Sequence, residues 1–436
     1  MSTSDSTGER QPALGTRPQP RFSVRIPRLR TFDSFAYSNY RYLWIGNFFA
    51  NNAQWLQLLT VGWLVRGLTS GSSTSTLFVV TVGGMSLLPG LIMAPIAGTL
   101  GDRMDRRKLV IGIQAFMTAF SFLFAVMVGQ QLVTVWHAYI YVFVSGTCVS
   151  ISQNSRMALV ANTVPRHAMA HAFATNVLTI PGTRMIGPFI GGILITTLGF
   201  FWNFTLESLL YLGTILVFLP IKTPYARSGR ARAQTSFLSD LVGGFTYVWK
   251  DKRVLLYLTM LGFIPNTILQ PTMFLLPVFT DEILKRGADV GGYFLAINGL
   301  GGLLMALFIA SFGFVFKKGM IVLVCALASS VFILLFSYAI ILPLAFLLIM
   351  LFATTQTAFR TTNGTLMQLL VSDDMRSRVT SLQRYSMGGV IIASFAIGWF
   401  ARLTSVSIAL AAMGLIASVL AIVFYVFARQ IRELDA

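Results

Sequence analysis

Arg184 and Glu207 lie well inside long apolar runs, where a lone charge costs several kcal/mol and so needs a partner or a task. A cation so placed can bind an anionic substrate or hold a gate. A carboxyl can carry a proton, cancel that cation, or reach outward to water. Neutral amides recur in the same kind of run. Asn47, Asn51 and Gln54 share one helical face, with Asn52, Trp55 and Gln57 beside them. Gln153 and Asn154 follow, then Asn266 and Gln270 one turn apart next to Pro271, and Gln356 and Arg360 one turn apart. In hydrocarbon a polar group must meet a partner or water. Interhelical hydrogen bonding accounts for any one of these residues; a hydrated cavity accounts for the set.

Other chemistry is missing from the pattern. No glycine-rich phosphate loop ends in Lys and Ser or Thr, and no nucleophile, base or carboxylate pair is arranged for hydrolysis, so the chain reads as neither ATPase nor other enzyme. Cys148 and Cys325 fall inside apolar runs as small buried residues. His167 and His171 stand one turn apart at a solvated helix start. Neither pair has metal-ligand spacing, and no cofactor is expected.

The densest charges form a short turn. Gly98, Gly101 and Asp102 lead into Arg103, Arg106, Arg107 and Lys108, between two runs long enough to cross a bilayer. These charges can pair with one another and with helix ends, whose dipoles attract opposite charge. Decoration of a cytoplasmic loop would explain the basic residues alone. It does not explain Asp102 flanked by two glycines.

The elements that must position these residues are membrane spans. Of 436 residues, 55% are hydrophobic and 11% charged, against roughly 25% charged in soluble domains. The net charge of +18 sits in short connections, which argues against a nucleic-acid partner. Hydropathy gives twelve runs of about 20 residues: 43–66, 77–100, 109–129, 134–157, 170–197, 200–220, 254–279, 290–314, 319–340, 342–364, 382–402 and 405–428. The chain is expected to be all-α and polytopic. It divides into a basic cytoplasmic tail at 1–40, a six-helix bundle at 41–220, a linker at 221–253, a second six-helix bundle at 254–428 and a tail at 429–436. Within the linker, Leu238, Leu241, Val242, Phe245 and Val248 recur at the spacing of an amphipathic surface helix. With both termini inside, roughly 28 of the 33 basic residues face the cytoplasm. Arg66, Lys285, Arg286 and Arg402 are left outside.

The two halves echo each other at a shift of 207 residues, which aligns Leu159 with Leu366, Val164 with Val371 and Gly191 with Gly398, as a parallel transporter repeat would.

Several motifs carry a resemblance. Arg41 to Trp44 with Trp55 and Trp63, the turn from Gly98 to Lys108, and Arg184-Met185-Ile186-Gly187-Pro188-Phe189-Ile190-Gly191-Gly192 are three of them. Gln368 followed by Asp373 to Val379 is the fourth. From about Phe35 to Ala428 the chain resembles the major facilitator superfamily, and within it the bacterial exporter branch that includes the enterobactin exporter. The resemblance implies a plasma-membrane (inner-membrane) secondary transporter working as a monomer. It implies a latch at the Asp102 turn and sliding of helices two, five, eight and eleven on their glycines. It also implies a substrate cavity lined by helices one, four, seven and ten, where Trp55, Phe48, Phe274 and Phe359 suit a partly apolar cargo. Proton exchange comes from the resemblance, not from these residues: Tyr141 to Ser150 holds no arginine, and Arg156 and Arg166 are placed at or beyond the cytoplasmic end of helix four. Glu207 stands where the branch more often has a neutral amide. Export of a drug- or siderophore-like small molecule is the leading expectation. Movement of a lysophospholipid or other amphiphile is the alternative within transport, and a non-transporting sensor or assembly factor the alternative outside it.

Overall fold

A computed structural model describes residues 34–93, 100, 104–223, 253–312, 317–371 and 376–434, with the backbone alone at 312 and 376–387. The described residues fold into helices and turns, without strands. The first half runs α1 Ser38–Leu68, α2 Ser75–Met85, α3 Arg106–Gly129, α4 Val135–Thr163, α5 Met169–Thr197 and α6 Phe200–Phe218. The second runs α7 Arg253–Glu282, α8 Ala288–Phe312, α9 Lys318–Phe336, α10 Leu342–Leu370, α11 Arg376–Leu403 and α12 Val406–Phe427, followed by a short turn of helix at Arg429–Arg432.

Ten of these helices, α2 through its continuation to Met93 among them, are long and apolar enough to cross a membrane. Of the other two, α1 falls short for a sequence reason, because the five amides from Asn47 to Gln57 dilute its hydropathy. In α11 the side chains are described from Gly388 on, and Gly388–Leu403 is apolar. Outward-facing side chains are large and apolar, among them Trp136, Ile140, Leu216 and Ile392, as a lipid-facing surface requires.

The repeat is written into helix lengths. α4 and α10 each have 29 residues, and both their ends are offset by the same shift that aligns the sequences. Between α5 and α6 the chain turns in two residues. It can because Gly199 takes φ +88°, a conformation that side chains with a Cβ rarely adopt.

α7 is not continuous. A π turn at Ile264–Ile268 separates helical segments Arg253–Phe263 and Thr272–Glu282. Pro265 and Pro271 each remove a backbone donor, and Leu269 N–H reaches back five residues to the Ile264 carbonyl at 3.1 Å. Such π bulges often mark functional sites because they free side chains and carbonyls from the regular ladder.

The halves meet where small residues let backbones touch. A Cβ added at Gly292 of α8 would lie 2.4 Å from the Pro188 carbonyl and 3.0 Å from the Gly192 Cα of α5. At Gly84 of α2 it would lie 2.7 Å from the Ser394 Cβ of α11. Gly187 and Gly191, by contrast, seat α5 on α1: a Cβ there would meet the Asn52 carbonyl at 2.9 Å and Leu56 Cδ1 at 2.4 Å. The motif from Arg184 to Gly192 therefore packs one helix against two neighbours at once.

Candidate functional site

Polar groups converge at mid-bundle from both halves. Arg184, near the middle of α5, places its guanidinium 4.2 Å from the centroid of the Trp55 ring, a cation–π distance. Its Nη1 donates to Asn298 Oδ1 of α8 at 3.2 Å, while its Nε is buried without a partner. Across from it, Arg360 of α10 donates from Nε to Asn266 Oδ1 at 2.9 Å and from Nη2 to Gln270 Oε1 at 2.8 Å. Gln356 donates to the Pro265 carbonyl at 3.0 Å. The π turn of α7 thus presents both amide oxygens and a free carbonyl to α10. The spacing of Asn266 with Gln270 and of Gln356 with Arg360 matches these contacts.

The amides of α1 turn toward α5 and α4. Asn47 donates to Asn176 Oδ1 at 2.7 Å, Asn51 to Thr179 Oγ1 at 3.2 Å, and Gln57 to Ser145 in α4. Asn52 donates to its own helix at Phe48, and Gln54 is half-buried. These bonds tie α1 to α4 and α5 within the first half. Trp55, on the same helix, meets Arg184.

One sequence reading is corrected here. Arg156 does not sit at the cytoplasmic surface. It is 4% exposed, donates to Asn51 Oδ1 at 3.3 Å, and leaves Nε and Nη1 buried without partners. Its position two turns inside α4 buries it because Asn51 of α1 packs against that face. Phe274 and Phe359 are both buried in the main apolar core, Phe274 pressed against Gly83. Asn298, Asn176 and Thr179 went unread in the sequence, although Asn298 is a lone amide in a strongly apolar helix, a signal of the same kind as Asn266.

Glu207 is wholly buried in α6 and neither pairs with Arg184 nor reaches water. It accepts from the Tyr141 hydroxyl at 2.8 Å and from Ser121 at 3.5 Å. Its second oxygen and the neighbouring Tyr211 hydroxyl lack partners of good geometry.

Of the charged turn, Gly98, Gly101, Asp102 and Arg103 lie outside the described residues, as do the amphipathic stretch of the linker and Asp373 and Asp374. The remainder is built in. Asp105 caps α3, accepting from the backbone of Arg107 at 2.9 Å and of Lys108 at 3.2 Å. Arg107 donates from Nε to the Phe218 carbonyl at 3.1 Å and from Nη2 to the Leu219 carbonyl, satisfying open carbonyls at the end of α6. Arg106 is half-buried and Lys108 exposed.

The end of the bundle where α1 stops and α7 stops holds an ion-pair cluster absent from the sequence reading. Arg66 at the end of α1 reaches Asp281 at 2.8 Å and Glu282 at 2.9 Å, at the end of α7. This cluster joins the two halves.

With this architecture on the page, its relatives can be placed. A family model for transmembrane secretion effectors matches residues 30–436. The chain belongs to that family of the major facilitator superfamily. The enterobactin exporter EntS of Shigella boydii serotype 18 is 25% identical over 306 residues, covering 70% of this chain and 71% of the exporter. The same exporter from Escherichia coli O81 matches to the same extent. Among solved structures, a peptide-transporter-family (POT) protein bound to a thioalcohol-conjugated peptide superposes with a TM-score of 0.71 at 11% identity, over 90% of this chain and 96% of that one. The nucleoside transporter NupG superposes with a TM-score of 0.67 at 13% identity, over 89% and 99%. At such identities the superpositions speak for the fold alone, a twelve-helix transporter fold. The chain is a multi-pass membrane protein of a transporter family, not of an enzyme family.

Proposed function

We propose that this protein is a secondary active exporter that moves a partly apolar small molecule across the plasma membrane by alternating access, in exchange for protons. The observation that carries this reading is the arginine-and-amide site at mid-bundle, with Arg184 on one half and Arg360 on the other. A bundle built only for packing has no reason to hold unpaired guanidiniums there. Glycine-lined contacts between α5 and α8 and between α2 and α11 supply surfaces on which two halves can rock. The kinship with enterobactin exporters supports export as the direction. The charged turn from Gly98 to Lys108 is read as the cytoplasmic latch, Glu207 as the proton carrier, and Gln54, Trp55, Asn266, Gln270, Gln356 and Arg360 as the wall of the cavity, braced by Asn47 and Asn51. The working unit is a monomer with cytoplasmic termini.

Flux into and out of proteoliposomes, with and without an imposed pH gradient, tests this. Substrate counterflow together with acceleration by the gradient is the expected result. Binding without flux would make the protein a sensor instead.

A second reading has one observation behind it. A groove of about 560 Å³ opens between α2, α4 and α11, lined by Leu77, Phe78, Met85, Trp136, Phe143 and Phe395. Such a surface fits an acyl chain, and an amphiphile such as a lysophospholipid would enter there. Flux of a fluorescent lysophospholipid, lost on substituting Phe78 and Trp136, distinguishes that cargo.

A further inference from the structure

We propose that Arg184 and Arg360 together form an anion subsite, so that the cargo is an acid, with a carboxylate, sulfonate or phenolate held between the two halves. The inference rests on the transport reading above and narrows its substrate class.

Three observations converge. First, the two cations come from opposite halves to one place. Pro181 of α5 and Thr357 of α10 both face Gly302 of α8, where an added Cβ would lie 4.0 Å from one and 3.1 Å from the other. Arg184 and Arg360 each lie three residues further along their helices, on the next turn of each.

Second, both charges lack an acidic partner among the described residues. No carboxylate among the described residues forms an ion pair with Arg184 or Arg360. Glu207 is committed to Tyr141 and Ser121. The partners that Arg184 and Arg360 do have are amide oxygens of Asn298, Asn266 and Gln270. Amide oxygens orient a guanidinium without cancelling its charge, and an uncompensated ion in a dry interior costs several kcal/mol.

Third, donors remain to be used. A guanidinium has five N–H groups; Arg184 uses one toward Asn298 and keeps its Nε buried and unpartnered. An acid arriving between these side chains would accept charge-assisted hydrogen bonds, the strong kind. A cationic cargo would meet repulsion from both, and a neutral one would leave both charges uncompensated. The Trp55 ring under Arg184 fixes the guanidinium plane and adds an apolar aromatic wall.

The test uses the full-length protein in lipid nanodiscs and equilibrium binding of radiolabelled 1-naphthoate and 1-naphthalenesulfonate against neutral 1-naphthamide. The acids are expected to bind at least tenfold tighter than the amide. The double variant Arg184→Gln/Arg360→Gln should lose that preference while retaining weak binding of the amide. Arg184→Lys, which keeps the charge and loses the fork, should keep part of it. Monodisperse elution and an unchanged thermal midpoint establish that the variants are folded; if the double variant fails there, the single Lys variant carries the comparison. Equal binding of acid and amide, binding of neither acid, or a preference that survives in the double variant would overturn the subsite. The transport reading fails separately: acid binding without counterflow in proteoliposomes sinks transport and leaves the subsite standing, whereas flux of the amide alone does the reverse.

Discussion

Glu207 keeps its carboxyl between two phenols and a serine hydroxyl, with no lysine or arginine in ion-pair range among the described residues. Its replacement therefore separates hydrogen bonding from charge. Glu207→Gln preserves an acceptor for Tyr141 and is expected to change the thermal midpoint little. Glu207→Leu removes the acceptor of Tyr141 and Ser121, leaving those hydroxyls only their bond to each other at 2.8 Å, and should destabilise by ~1–3 kcal/mol. If the carboxyl carries the coupled proton, Glu207→Gln also loses the stimulation of flux by a pH gradient while counterflow persists. Stimulation that survives in Glu207→Gln removes Glu207 from the coupling path. Residue-level chemistry was legible wherever local spacing alone decides which groups share a face. The pairs Asn266 with Gln270 and Gln356 with Arg360 are one helical turn apart, and each pair faces the other. Arg156 was not legible, because its burial depends on Asn51 of a different helix rather than on anything near it in sequence. Phe274 and Phe359 show the same limit in reverse: an aromatic in a span can face core or cavity, and only packing decides.

Helices were the most legible level, since apolar runs of spanning length admit one backbone solution in lipid. The two-residue turn at Leu198 and Gly199 could be placed from the apolar runs that end at 197 and resume at 200. The interruption of α7 could not, because prolines in spans are tolerated with or without a π turn, and neighbouring Gln356 supplies the donor that stabilises this one. Glycines looked alike in sequence and are not alike in place. Gly182 and Gly292 both belong to the helices expected to slide. An added Cβ at Gly182 meets nothing within 4 Å, whereas at Gly292 it meets backbone of Pro188 and Gly192, which cannot swing aside as a side chain does. Gly182→Ala should leave flux intact and raise the thermal midpoint slightly, since alanine is the better helix former. Gly292→Ala should lower the midpoint, with a cost of ~1–3 kcal/mol from overpacking, and should slow flux. Equal behaviour of the two variants in differential scanning fluorimetry would show that the contact of α5 with α8 yields to an added methyl group.

At the scale of the whole molecule, the two halves are joined by few charges at the end that holds Arg66, Asp281 and Glu282. Arg66 is mostly covered, but Asp281 and Glu282 are 45% and 36% exposed. Water screens such pairs, so the cluster contributes only about 1 kcal/mol. That is too little to hold the fold together. It is enough to change the ratio of two conformers about fivefold, because a conformational equilibrium responds to whatever differs between its states. The arrangement suits a gate, which must open at each turnover, better than a brace. Arg66→Glu turns attraction into repulsion toward both acids, and should lengthen the distance between spin labels placed at Ser73 in the first half and Arg286 in the second. Adding Asp281→Lys and Glu282→Lys restores opposite charges and should bring the short distance back. The thermal midpoint should move little in either variant, since the core packing of α5 on α8 is untouched. A distance distribution indifferent to both changes would mean that the halves are held at this end by their apolar contacts, with Arg66 merely neutralising the two acids beside it.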